Sequence, residues 1–278
     1  ILGELEDSVI NEIDMMVLSP GIAIDAPFVL RVKEAGVPIW GEIELAYVIG
    51  KGKLAAITGT NGKTTTTALV GEIMANYYDK VDVVGNIGNP YTTTAFDSTD
   101  DTVTVAEISS FQLETIHTFK PDVSAVLNIT PDHLNRHYTM ECYTDVKMSI
   151  AKNQDNNQPI VLNYEDPILR EYAGKLTNRI IWFSSKQKVN PGVYLEGKNI
   201  IYADGKKETF VTTTEDTTLV GIHNVENIMA AIAISINMDV PVDIIRETIR
   251  KFKAVPHRIE YVETINDVIY YNDSKGTN

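Results

Sequence analysis

The sequence predicts an α/β fold built on a mostly parallel sheet. Three observations predict it. Short apolar runs alternate with segments of helical period along most of the chain. One such run, residues 54–57, feeds directly into Gly59-Thr60-Asn61-Gly62-Lys63-Thr64-Thr65, a Gly-rich turn that opens a helix. The chain has 278 residues, 44% of them hydrophobic and 22% charged, which exceeds one typical domain and suffices for a large core.

Residues 14–18 read as a strand, and Ser19-Pro20-Gly21 as the turn at its carboxyl end. A helix over 28–35, a strand over 37–40 and a helix over 42–48 follow. Residues 1–48 thus make a partial Rossmann-like α/β domain, the remainder of an N-terminal domain. Lys51-Gly52-Lys53 opens a second unit, with strands expected at 54–58, 81–84, 102–108, 123–129, 159–163 and 179–183. The helix after the Gly-rich turn carries Leu69, Val70, Ile73, Met74 and Tyr77 as an apolar stripe. Residues 193–210 alternate and contain the turns Glu196-Gly197-Lys198 and Asp204-Gly205-Lys206, which predicts a small antiparallel appendage. A helix from Asn224 places Ile228, Ile232 and Ile236 at four-residue steps, and another over 242–252 stops before Pro256. A fresh strand pattern begins at Ile259. Residues 49–257 form the P-loop ATPase-like central domain, and 258–278 the start of a C-terminal one. Because the chain opens on Ile1 rather than Met and closes on Asn278 in a polar stretch, it is expected to be a piece of a longer protein.

A net charge of −14 disfavours nucleic acid as a partner. It also means that any anionic ligand must find local cations, helix termini or metal ions. The single cysteine, Cys142, excludes a disulfide framework and a Cys-rich zinc site, and suits a reducing cytosol. No apolar run approaches the length of a membrane span.

The turn at Gly59, Thr60, Asn61, Gly62, Lys63, Thr64 and Thr65 has the composition of a phosphate cradle. Backbone N–H groups and the helix N-terminus face the anion, a lysine reaches the outer phosphates, and a threonine hydroxyl can ligate Mg²⁺. The spacing departs from the common one: Ile57 stands five residues before Gly62, where glycine is usual, and Gly59 only three before. An ordinary Gly/Asn turn is the plainer alternative. Phosphate binding is preferred because Lys63-Thr64 follows at once.

Other candidates sit where ligands gather in open α/β sheets, beyond the carboxyl ends of strands. Glu107 ends a strand and shares parity with Val103 and Val105, so it points to the face they bury. A buried carboxylate is costly unless paired or metal-bound. Sharing Mg²⁺ with Thr64 and a triphosphate satisfies it, and a strand-end side chain in solvent is the alternative. His133, at the end of Asn128-Ile129-Thr130-Pro131-Asp132-His133, is either a loop histidine or a site residue. Lys147 occupies the i+4 slot of an inward stripe with Tyr143 and Ile150. It either snorkels or is held in the site, converted there into a metal-binding anion. Asn86 follows a strand and can bond a polar ligand. Asn224 and Asn227 share a helix face, either as an N-cap and its neighbour or as an amide pair facing a nucleobase. Arg258, after Pro256-His257, suits a phosphate or a salt bridge.

Taken together these residues resemble the Mur ligases, the ATP-dependent amide-forming enzymes of bacterial cell-wall precursor assembly. The loop of residues 59–64 is shared across that superfamily, folylpolyglutamate synthases included. The strings Glu107-Ile108-Ser109-Ser110-Phe111-Gln112-Leu113 and Gly85-Asn86-Ile87-Gly88, with residues 221–227 and 272–278, are similar to the branch that adds D-glutamate. The resemblance implies that Lys63, Thr64 and the loop amides hold ATP phosphates. It implies one Mg²⁺ on Thr64 and Glu107, and a second supported by His133 and a carbamylated Lys147. Asn86, Gln112 and His133 would contact the muramoyl–alanine part of UDP-N-acetylmuramoyl-L-alanine, and Ser19, Pro20 and Gly21 would border its site. Asn224, Asn227, His257, Arg258 and Asp273 belong to the ATP side, with Lys275 and Thr277 in the loop that meets D-glutamate. The resemblance further implies a bacterial cytoplasmic monomer, with no nucleic-acid partner and no membrane insertion. The implied reaction passes through an acyl phosphate. The resemblance also implies that the start of a uridine-diphosphate-gripping domain and nearly all of an amino-acid-binding domain lie outside this sequence. The chain alone is therefore expected to be inactive. A sister ligase, a P-loop kinase or ATPase, and an ATP-binding module without ligase activity are the rival readings.

Overall fold

The computed structural model describes residues 5–258 and 260–275. Strand β1 (Met16–Leu18) pairs in parallel with β2 (Ile39–Gly41), and the helix Pro27–Glu34 connects them. The helix Glu42–Ile49 then leads into the main sheet. That sheet has nine strands: β3 (Lys53–Thr58), β4 (Val81–Gly85), β5 (Val103–Glu107), β6 (Val123–Val126), β7 (Ile160–Asn163), β8 (Ile180–Ser184), β9 (Gly192–Glu196), β10 (Asn199–Ala203) and β11 (Glu208–Thr213). Their spatial order is β11-β10-β9-β8-β7-β6-β3-β5-β4. Strands β4 to β9 and β3 are all joined by parallel ladders, and β10 and β11 close one edge antiparallel. A separate antiparallel hairpin, β12 (Glu260–Ile265) and β13 (Val268–Asn272), follows.

Both faces of the sheet are covered, which is why its strands read as apolar runs. On one face Leu69, Val70, Ile73 and Met74 of the helix Lys63–Ala75 pack with Ile228 and Ile232 of the helix Ile222–Asn237 against Val103, Val105, Val161 and Ile181. On the other, Ile43, Tyr143, Met148 and Leu169 pack against Ala56, Ala106, Val126 and Leu162. Each fully buried aliphatic side chain of this kind contributes roughly 1.5–3 kcal/mol. Among the described residues no helix is long and apolar enough to cross a membrane.

The small antiparallel appendage is present as β9, β10 and β11, and β9 pairs in parallel with β8, which carries it into the main sheet. Two expectations need correction. Tyr77 leaves the apolar stripe: its helix ends at Ala75, and the side chain is 45% exposed. The strand expected over 123–129 stops at Val126, because the chain beyond it turns to bond the Gly-rich loop.

One buried carboxylate ties the small parallel pair to the large sheet. Glu44, fully buried on the helix Glu42–Ile49, accepts from His117 N (2.8 Å), Thr118 N (2.7 Å), Thr118 Oγ1 (2.6 Å) and Phe119 N (3.1 Å). Burial alone would raise its pKa, but these hydrogen bonds outweigh it and hold the group below its ordinary value.

Candidate active site

The strand order reverses direction around β3, with β5 on one side and β6 on the other. Ligand crevices form outside the carboxyl ends of strands at such a point. The Gly-rich loop leaves the carboxyl end of β3 there. Gly62 caps the 13-residue helix Lys63–Ala75 with φ of +84°, and a Cβ at that position would lie 2.2 Å from Asn227 Oδ1. Glycine is therefore required both by the left-handed backbone and by the close approach of Asn227. The first-turn amides of this helix have no intrahelical acceptor, and the helix dipole favours an anion beyond them. Lys63 Nζ folds back over the turn, donating to Gly59 O (3.0 Å) and Thr60 O (2.8 Å). Burial pushes its pKa down, while Glu107 and Asp132 oppose the shift.

Glu107 sits opposite Ile57 on β3 and Gly85 on β4, and is 1% exposed. One oxygen accepts from Asn86 Nδ2 at 2.8 Å. The other, Oε2, is buried with no partner. A carboxylate oxygen left this way is costly unless a cation joins it. Among the described residues no three His, Cys, Asp or Glu side chains converge on a metal position. Mg²⁺ needs no such cage, since one or two protein ligands plus phosphate oxygens and water suffice. The orphaned oxygen of Glu107 and the hydroxyl of Thr64 fit that role.

Lys147 is 2% exposed on the helix Met140–Met148. It does not snorkel. Its Nζ donates to Gly59 O at 2.8 Å, lies 3.5 Å from Thr58 Oγ1, and stands 4.9 Å from the centre of the Tyr143 ring. Burial, then repulsion by Lys63, pushes its pKa down to about 7. The unfolded chain holds that proton up to the ordinary lysine value of 10.5, so between about 7 and 10.5 unfolding takes up a proton and stability rises with pH. Lys147→Met is accordingly expected to raise the melting temperature. Its advantage over wild type should be widest below about pH 7 and should close as pH rises toward 10.5. A gap that does not change with pH would refute the assignment.

The remaining candidates are distributed around this centre. His133 is exposed, with Nε2 at 3.4 Å from Asp132 Oδ2 and its ring 4.8 Å from that of Phe111. Gln112 is buried; its Oε1 accepts from Ser109 N (2.8 Å) in a capping box, and its Nε2 is 3.5 Å from Glu42 Oε2. Ser19 and Pro20 line a small cleft with Glu42, Phe111, Gln112 and Arg136. Gly21 follows in the same turn. Asn224 is not an N-cap: Gly221 takes that place, and Asn224 Nδ2 donates to Val220 O at 2.8 Å. Asn227 Nδ2 donates to Asn224 Oδ1 at 3.2 Å, which turns the pair toward Gly62. Arg258 has a buried, unpartnered Nε, and its charge bears on Lys63. His257 Nδ1 lies 2.8 Å from Asn272 Nδ2, next to Asp273, and Lys275 N donates to His257 O at 3.1 Å. Thr277 lies outside the described residues.

Residues 57–235 match the family described as "Mur ligase middle domain". The chain belongs to the Mur ligase family. A relative at 56% identity over 278 residues is the UDP-N-acetylmuramoylalanine--D-glutamate ligase of Lachnoclostridium phytofermentans, and one at 49% over 279 is the same-named ligase of Clostridioides difficile. Each comparison covers 100% of this chain and 61% of the relative, so the chain spans about three-fifths of their length. Among solved structures, MurF ligase of Thermotoga maritima in complex with ADP superposes with TM-score 0.63 at 20% identity, covering 95% of this chain and 69% of that one. The fold is thus the α/β architecture of Mur ligase central domains.

Around this candidate site, the sequence alone does not single out Asn128, Asp132 and His137. Asp132 attracts the charges of both Lys63 and Lys147. His137 is buried with Nε2 at 3.0 Å from Ser110 Oγ, and burial pushes its pKa down to about 4. Asp132 and Asn128 share the strand-end position that singled out His133, and that position was the available signal.

Proposed function

We propose that this chain is the ATP-handling part of the Mur ligase that joins D-glutamate to UDP-N-acetylmuramoyl-L-alanine. The observation that carries the reading is the convergence of Lys63, Lys147 and the orphaned Glu107 oxygen around one helix N-terminus. The D-glutamate ligases among the chain's relatives support the choice of amino acid.

In this reading Lys63 and the first-turn amides grip the outer phosphates of ATP. Attack by the muramoyl-alanine carboxylate oxygen on the γ-phosphorus breaks the bond to ADP and leaves an acyl phosphate. The free amine of D-glutamate then attacks the acyl carbon, phosphate departs, and the amine proton passes to solvent as the amide forms. Such phosphoryl transfer needs positioning and neutralisation of charge rather than a protein nucleophile. Bound Mg²⁺ would neutralise phosphate charge, held by Thr64 and Glu107, with a second ion supported by His133 and a carbamylated Lys147. Lys147 suits carbamylation because its environment favours the free amine. That amine adds to CO₂, forming an N–C bond and releasing one proton. Asn224, Asn227, His257, Arg258 and Asp273 would attend the nucleotide. Asn86, Gln112 and Ser19–Gly21 would attend the muramoyl substrate, and Lys275 and Thr277 would meet the amino acid.

The test is a turnover assay. The enzyme completed to the length of its relatives, given ATP, Mg²⁺, UDP-N-acetylmuramoyl-L-alanine and D-glutamate, should form ADP, phosphate and the UDP-muramoyl dipeptide. Phosphate release without dipeptide would favour the ATPase reading instead. The 278-residue chain alone is expected to form no dipeptide, because closing segments complete such sites and exclude water. Dipeptide made by this chain alone would overturn that expectation.

A further inference from the structure

The tip of the phosphate loop is held from outside as well as by its own Lys63. Asn128, just past β6, grips its backbone with both halves of one side-chain amide. Asn128 Oδ1 accepts from Asn61 N at 2.8 Å, and Asn128 Nδ2 donates to Asn61 O at 3.0 Å. The surrounding backbone repeats the grip: Thr60 N donates to Asn128 O (2.9 Å), Leu127 N to Thr58 O (3.0 Å), and Thr130 N to Thr60 Oγ1 (3.0 Å). Asn128 is itself braced from behind. Asp166, buried at the N-cap of the helix Pro167–Ala173, accepts from Ile129 N at 2.7 Å while capping Ile168 N and Leu169 N.

We infer that Asn128 is a positioning residue for the phosphate loop, and through it for nucleotide binding; this rests on the ATP reading above. An anion cradle acts through N–H groups aimed before the ligand arrives. The amides of Thr60 and Asn61 both bond Asn128, so they point away from the ligand. That leaves the cradle to the amides from Gly62 onward, on the helix N-terminus. Of the side chains of this size, only asparagine both donates and accepts in the plane of a peptide group. Aspartate keeps the acceptor for Asn61 N–H, loses the donor and sets a carboxylate oxygen against the Asn61 carbonyl.

The test compares wild type with Asn128→Ala in two measurements: amide hydrogen exchange, and calorimetric affinity for a non-hydrolysable ATP analogue with Mg²⁺. Loss of the two hydrogen bonds should speed exchange at Asn61 and weaken nucleotide binding about tenfold, with β3 and β5 protected as before. Unchanged exchange at Asn61, or protection lost throughout the sheet, would each overturn the inference. Should the alanine variant not fold, Asn128→Asp serves. Its loss of affinity should persist in high salt, whereas a loss that salt abolishes would mean simple charge repulsion and overturn the role. If wild type binds no nucleotide, the ATP reading fails on its own, and Asn61 exchange still decides whether Asn128 holds the loop.

Discussion

In the enzyme completed to the length of its relatives, Lys147→Ala is expected to lower kcat by on the order of a hundred- to a thousandfold, the scale for losing one preorganised electrostatic group. A lysine on an inward helix stripe suffers desolvation as an ammonium, and this one has Lys63 as a second cationic neighbour. Neutral, it is a nucleophile for CO₂. The resulting carbamate is a hard anionic oxygen ligand of the kind Mg²⁺ prefers. Short carboxylic acids added to the alanine variant are expected to restore part of the rate, since they supply the missing oxygens. Enzyme saturated with Mg²⁺, nucleotide and muramoyl substrate under ¹³C-bicarbonate should show a carbamate carbon by NMR. A silent spectrum together with an alanine variant of normal rate would end the proposal.

Lys63→Ala should weaken binding of ATP with Mg²⁺ to this chain on the order of a hundredfold, the loss of charge-assisted hydrogen bonds to phosphate. Wild-type affinity is itself expected to be weak in the chain alone. The ammonium rests on the carbonyls of Gly59 and Thr60, within the loop itself. Equal calorimetric affinities for the two proteins would remove the loop from the nucleotide site.

Much of this was legible in residue order. Alternating periods gave the parallel sheet, and Gly62-Lys63-Thr64 marked the carboxyl end of β3. Lys147 stood out as a charge on an apolar stripe and is indeed buried. Glu107 shares parity with Val103 and Val105, which pack on the face of the loop's own helix. What stayed hidden depended on contacts between distant segments. Asn128 and Asn61 are 67 residues apart, and no local pattern announces that their loops meet. The apolar residues Leu127 and Ile129 prolong the apparent strand, although the ladder with β3 ends where Leu127 N reaches Thr58 O, and Ile129 N bonds the Asp166 side chain instead of a neighbouring strand. Asn224 looked like a cap because Gly221, at φ of +95°, offers no side chain to announce itself.

The Glu44 carboxylate has a mechanical consequence. The wall of the cleft at Ser19 and Pro20 is fastened to the sheet by four hydrogen bonds converging on one buried anion, each contributing about 1.5–3 kcal/mol. A swing of that wall away from Gln112 would tear the latch and leave a charge unpaired in the interior. This seam is therefore a weld rather than a hinge. The cleft wall and the 117–119 segment are expected to move as one body.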